Sequence, residues 1–97
     1  MAARSYILDT KSVQRNSPLV LASILASSVK KFLTTSGRED LAAVISTVTF
    51  FGDLVTIVTG RPIINFELRA YEGSLKDVVK KTLSQHGFAA DIHIAFR

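Results

Sequence analysis

Two β-rich runs, Val44–Phe51 and Leu54–Thr59, are separated only by Gly52-Asp53. The chain must therefore reverse at once, and Gly at the first central position suits a type II′ two-residue hairpin. Such a turn sets the register: Phe51 opposite Leu54, Phe50 opposite Val55, Thr49 opposite Thr56, Val48 opposite Ile57. One face then carries Val48, Phe50, Val55 and Ile57, and is expected to be core. The other carries Thr47, Thr49 and Thr56 with Phe51, Leu54 and Val58, half polar as a solvated antiparallel face should be. A lone hairpin is not stable in water, so the rest of the chain must cover the apolar face.

The cover is predicted to be helical. Ser17-Pro18 reads as a helix start, with Ser as N-cap and Pro at the first helical position. Leu21, Leu25, Val29 and Phe32 follow at helical spacing, with Ile24 and Leu33 beside them. Lys30 and Lys31 fall in the last turns, where cations suit the helix dipole, and Gly37 ends the helix. Arg38–Ala43 is a candidate for a further helical turn. Arg61-Pro62 opens a second long helix that runs to about Gln85 and stops at Gly87. Asp91–Arg97 closes the chain as a strand, with Ile92, Ile94 and Phe96 alternating with Asp91, His93 and Ala95. The order helix–strand–strand–helix–strand predicts a small α+β sandwich of two layers, a three-stranded sheet covered by helices on one face. Residues 17–97 form that domain. Met1–Asn16, polar with a brief Tyr6-Ile7-Leu8 island, is expected to be a flexible tail or an arm that orders on a partner.

Several function classes fall away on this reading. With 97 residues, 47% of them apolar and no cysteine, the chain suits one ordinary globular domain without disulfides or a thiolate metal site. The absence of cysteine fits a reducing compartment, and the expected location is cytoplasmic. The apolar run Pro18–Val29 is too short to span a membrane, and the long polar lead before it, with Arg4, Asp9, Lys11 and Arg15, is unlike a secretion signal. Catalysis usually needs a base beside a nucleophile, paired carboxylates or a metal. Only His86, at a helix end, and His93, which shares a strand face with Asp91, are available as histidines. His86 is expected to meet the last carbonyls of its helix and His93 to be solvated. No enzyme, cofactor, metal site or small-molecule substrate is therefore expected.

Binding is left. A net charge of +4 suits an acidic partner such as nucleic acid. Thr59-Gly60-Arg61-Pro62 leads from a strand into a helix, as phosphate loops do. It has one Gly, no Gly-Lys-Ser/Thr, and a Pro that removes a donor, so it reads as a corner and cap with Arg61 as a lone cation. Further along, Arg69, Lys76 and Lys80 fall within roughly 40° of one another on an ideal helix. Asn65 and Gly73 lie near the same line. A cationic stripe over a glycine would admit a phosphate backbone; the alternative is an ordinary solvated face, diluted by Glu67, Glu72 and Asp77. Ser74-Leu75-Lys76-Asp77 also resembles a capping signal, and a break at Gly73 would separate Arg69 from the lysines. The apolar stripe of Ile64, Leu68, Tyr71, Leu75, Val78 and Val79 passes through Gly73 without a skip and favours a continuous or slightly kinked helix. The candidate nucleic-acid residues are thus Arg69, Lys76, Lys80, Arg61, Lys30 and Lys31. Phe51, Leu54 and Val58 form a candidate patch for a protein partner. No aromatic residue is clearly placed to stack on a base.

The stretch FFGDLVTIVTGRPIINFELRAYEGSLKDVVKKTLSQHGFAADIHIAFR resembles the C-terminal half of the DciA-like domain of bacterial replicative helicase loaders. The resemblance rests on Phe66-Glu67-Leu68-Arg69, Leu75, Leu83, Gly87 and the closing Ile92-His93-Ile94-Ala95-Phe96-Arg97, with the helix at Pro18–Phe32 matching the first helix of that family. The Trp and Val-Gly step that many relatives carry before the hairpin are missing. The resemblance implies a KH-like fold without catalysis, similar to the N-terminal domain of the replication initiator DnaA, that binds DNA and the replicative helicase. No G-x-x-G loop is present, so the usual KH backbone clamp on nucleotides is lacking. Two expectations stand side by side: a DNA-replication module that binds DNA or the helicase, and a protein–protein adaptor that never touches nucleic acid.

Overall fold

The computed structural model describes residues 18–88 and 91–97. The expected tail Met1–Asn16 and the Ser17 cap lie outside them. The described chain runs α1 (Pro18–Thr35), α2 (Glu39–Val44), β1 (Thr47–Phe51), β2 (Leu54–Val58), α3 (Pro62–Arg69), α4 (Glu72–Gln85) and β3 (His93–Phe96).

The hairpin forms in the expected register, from Phe51 opposite Leu54 to Thr47 opposite Val58. Gly52 takes φ +64° while Asp53 stays at negative φ, which is what a type II′ turn demands. The third strand lies beside β2 and parallel to it, giving the order β1-β2-β3. A parallel neighbour cannot be reached by a tight turn, so α3 and α4 serve as the crossover. Val55 faces Ile94 and Ile57 faces Phe96 across that pair, which continues the apolar face of the hairpin into β3.

Helices cover this face, and the molecule is an α+β fold with a three-stranded mixed sheet. Leu21, Leu25, Val29 and Leu33 form one seam of α1 and are fully buried. They meet Leu75, Val79 and Leu83 of α4 and Val48, Val55 and Ile57 of the sheet in a single core cluster. Leu68 of α3, Leu41 of α2, Ile45 and Ile92 close its edges. Phe50 and Phe88 meet edge to face at 5.8 Å under the hairpin.

Two expectations need correction. Val44 belongs to α2, not to a strand, and β1 begins at Thr47. Before it, Ser46 lengthens the ladder by donating both its N–H (2.8 Å) and its hydroxyl (2.9 Å) to Val58 O. The second correction concerns the long helix. It is divided at Ala70-Tyr71, ahead of Gly73, which lies in the first turn of α4. Ala70 and Tyr71 donate their N–H groups to Glu67 O and Leu68 O, three residues back, and Leu75 N–H then starts α4 on Tyr71 O. Such tightened bonds end one helix and redirect the next.

Candidate nucleic-acid interface

The corner before α3 spends its donors on the protein itself. Thr59 and Gly60 both donate N–H to Arg97 O, at 2.7 and 3.1 Å. Arg61 N–H donates to Thr59 Oγ1 (3.0 Å), and the Thr59 hydroxyl donates to Asn65 Oδ1 (2.7 Å). Gly60 takes φ +72°, which lets the strand turn into the helix. Thr59 to Pro62 thus pins β2 and α3 to the last residue of the chain. Three of its N–H groups are engaged and the fourth residue is proline, so the corner has no phosphate cradle. The Arg61 side chain stands exposed beside it.

The eight residues of α3 are apolar on two sides. Leu68 is fully buried and Ile64 half-buried against the core. On the opposite side Ile63 and Phe66 are 75% and 76% exposed. These two sit one turn apart, with Arg69 one turn beyond Phe66 on the same flank. The sequence contains this pair plainly, but helical periodicity assigns a residue to a face only when one face is clearly polar. Here both stripes are apolar, and only packing shows which one is covered.

Arg38 ties together the two sides of the break that follows. From the start of α2 its guanidinium bonds Asp40 (3.1 Å), Glu67 of α3 (2.6 Å) and the Tyr71 hydroxyl (3.3 Å). It also lies 5.9 Å from the centre of the Tyr71 ring, whose other neighbour is Phe32 at 6.5 Å, edge to face. Tyr71 is thus held between α1 and α2, at the point where the backbone turns. The hydrogen bonds to Asp40, Glu67 and Tyr71 hold the Arg38 guanidinium well above its ordinary range. The same pairing with Arg38 lowers the Asp40 carboxyl. Sequence reasoning missed Arg38; its one signal is a lone cation two residues before an acid at a helix start.

The expected stripe of Arg69, Lys76 and Lys80 is therefore not a line along one helix. Arg69 ends α3 and places its guanidinium 5.7 Å from the centre of the Phe96 ring. Lys76 and Lys80 remain one turn apart on α4, and Lys80 reaches Asp91 at 4.0 Å. The split lies at Ala70-Tyr71 rather than at glycine: Gly73 sits inside the first turn of α4 with a helical φ and no heavy atom within 4 Å of where a Cβ would be. Lys30 and Lys31 are exposed on α1, a full turn before its end at Thr35, and Lys31 borders a groove against α4.

The sheet face that no described element covers carries the other candidates. Phe51 is 84% exposed at the hairpin tip, Leu54 39%, and Val58 is half-buried. His93 lies 3.8 Å from Asp53 on this face, while Asp91 turns to Lys80. At the end of α4 it is the backbone N–H of His86, not its imidazole, that bonds Leu83 O, at 3.0 Å. Among the described residues, no helix is long and apolar enough to cross a membrane.

Comparisons with protein-family models, with curated proteins and with solved structures return no match to this chain.

Proposed function

We propose that the chain is a non-enzymatic module of cytoplasmic DNA replication, resembling a KH-like DciA-like helicase-loader domain, that binds DNA, the replicative helicase, or both. The observation that carries this reading is the outer side of α3. Phe66 supplies an exposed aromatic ring with Ile63 beside it, Arg69 one turn on, and Arg61 at the helix start. An aromatic platform between cations is how single strands are held without a sequence code, by base stacking and phosphate attraction. Lys76 and Lys80 add a separate pair of cations on α4, beyond the division at Tyr71.

The test is binding of labelled single- and double-stranded DNA over a range of salt. Single strands are expected to bind better, because stacking on Phe66 needs an unpaired base. Phe66→Ala should weaken single-strand binding by about 1–3 kcal/mol. Lys76→Gln with Lys80→Gln should flatten the single-strand salt slope by roughly 1.4, about 0.7 for each phosphate no longer neutralised. Absence of DNA binding at low salt sinks the DNA reading.

A second reading has its own observation. Phe51 and Leu54 stand exposed on the sheet face that no described element covers, and a patch of that kind suits a protein–protein adaptor. Phe51→Ser with Leu54→Ser should abolish helicase capture or self-association if this face is the site. Unchanged association rules the face out.

A further inference from the structure

A second basic surface lies on the other side of α4 from Lys76 and Lys80. Helices α1 and α4 run antiparallel, with Phe32 near Tyr71 at one end and Ser28 against Thr82 toward the other. Their outer seam holds a groove of about 370 Å³, bordered by Ser28, Lys31, Phe32, Val78, Lys81 and Thr82. Its floor needs no polar ligand. Thr82 Oγ1 bonds Ser28 Oγ at 3.0 Å and Val78 O at 2.9 Å, so these groups satisfy one another. What the groove offers is apolar carbon from the half-buried Phe32 and Val78, with one ammonium on each wall. Among the described residues, neither Lys31 nor Lys81 lies within ion-pair distance of a carboxylate. Helix α1 contains no acidic residue; Asp77, one turn before Lys81, is the acid that faces outward nearby.

We propose that the α1–α4 groove docks a short acidic amphipathic helix of a partner protein. Its apolar side chains seat on Phe32 and Val78, and its carboxylates pair with Lys31 and Lys81. Charge complementarity selects an anion, and the apolar floor selects a side-chain-bearing anion over a phosphate backbone, which has nothing to bury there. The seam from Ser28 to Thr35 is about 10 Å long at 1.5 Å per residue, room for two anchors one turn apart. This surface is separate from α3, and it assigns Lys31, one of the candidate nucleic-acid residues, to a protein partner instead.

The probe is a fluorescein-labelled helical peptide carrying Leu at i and i+4 with Glu on both flanks. It is titrated by anisotropy and mapped by amide chemical shifts on the full chain. Expected are micromolar binding and shifts centred on Ser28, Phe32, Val78 and Lys81. Lys31→Glu with Lys81→Glu should weaken binding by on the order of tenfold or more, with an unchanged circular dichroism spectrum, since both side chains are exposed. The same double variant should bind a peptide whose Glu residues are replaced by Lys. The proposal is overturned if the Glu peptide does not bind, if the double reversal leaves its affinity unchanged, or if its shifts fall elsewhere. It is equally overturned if an oligothymidine strand shifts the same amides and displaces the peptide, which would make the groove a nucleic-acid site.

Discussion

Helices α1 and α3 are both rich in apolar residues, and the fold uses them in opposite ways. On α1 the apolar spacing makes one seam, and Leu21, Leu25, Val29 and Leu33 are all fully buried. On α3 one apolar side reaches the core through Leu68, while Ile63 and Phe66 remain about three-quarters exposed. Burial stabilises the fold; exposure of a large ring contributes nothing to it. The contrast separates residues that hold the molecule together from residues free to meet something else.

The largest effect should come from the buried seam. Leu25→Ala should cost about 2–5 kcal/mol, because the surrounding helices and sheet cannot fully collapse on the vacated volume. Urea unfolding measures it; a loss below 1 kcal/mol would show the seam to be looser than the geometry implies. Next comes Tyr71→Ala, which removes the half-buried ring that joins α3 and α4 to α1 and α2. About 2 kcal/mol is expected, less than for a fully buried aromatic, with amide exchange accelerated around Ala70–Gly73.

Arg38 sharpens the same boundary through pH. The Asp40 carboxyl is lowered in the folded protein from 3.8, first by its hydrogen bond to Arg38. Its share of stability is present above the unfolded value and is lost as pH falls through the lower, folded one. Arg38→Met should therefore destabilise the protein less than Tyr71→Ala and remove part of the stability loss below about pH 4. An identical acid limb in the variant would show that Asp40 gains nothing from its partner.

Gly73→Ala should raise stability by about 0.5–1 kcal/mol, since the position is helical and open. If stability rises and DNA binding is unchanged, Gly73 does not serve a phosphate. A change in stability no larger than this is expected for Ile63→Ser with Phe66→Ser, within about 0.5 kcal/mol per site, while single-strand binding falls. A large loss of stability would break the comparison, placing α3's outer side inside the fold.

Much of the architecture was legible in the residues. The hairpin register followed from a two-residue turn, because side chains alternate with period two and a short turn leaves no freedom to slip. The α1 seam followed from helical spacing against Ser, Lys and Thr on the other side. The corner at Thr59-Gly60-Arg61-Pro62 followed from a proline that cannot donate. The candidate site was less legible. Arg69, Lys76 and Lys80 align only if the helix is straight; the capping-like Ser74-Leu75-Lys76-Asp77 hinted at a break, but the unbroken apolar stripe outweighed it and the division falls earlier, at Ala70-Tyr71. Phe66 was hidden by its neighbours, since Ile63, Ile64, Phe66 and Leu68 leave no polar contrast from which to read a face.

By itself the sequence determined the order of strands and helices, the hairpin register, which hairpin face is buried and the corner at Gly60. These are properties of neighbours in the chain, set by periodicity, turn sterics and capping. Tertiary structure alone decided the rest: β3 parallel beside β2, the division at Tyr71, the exposure of Ile63 and Phe66, and the groove between Lys31 and Lys81. Each of these depends on residues distant in the chain, as Arg38 with Glu67 and Tyr71, or Ser28 with Thr82. No local pattern encodes a contact whose two halves are read separately; packing brings them together and chooses which apolar stripe to cover.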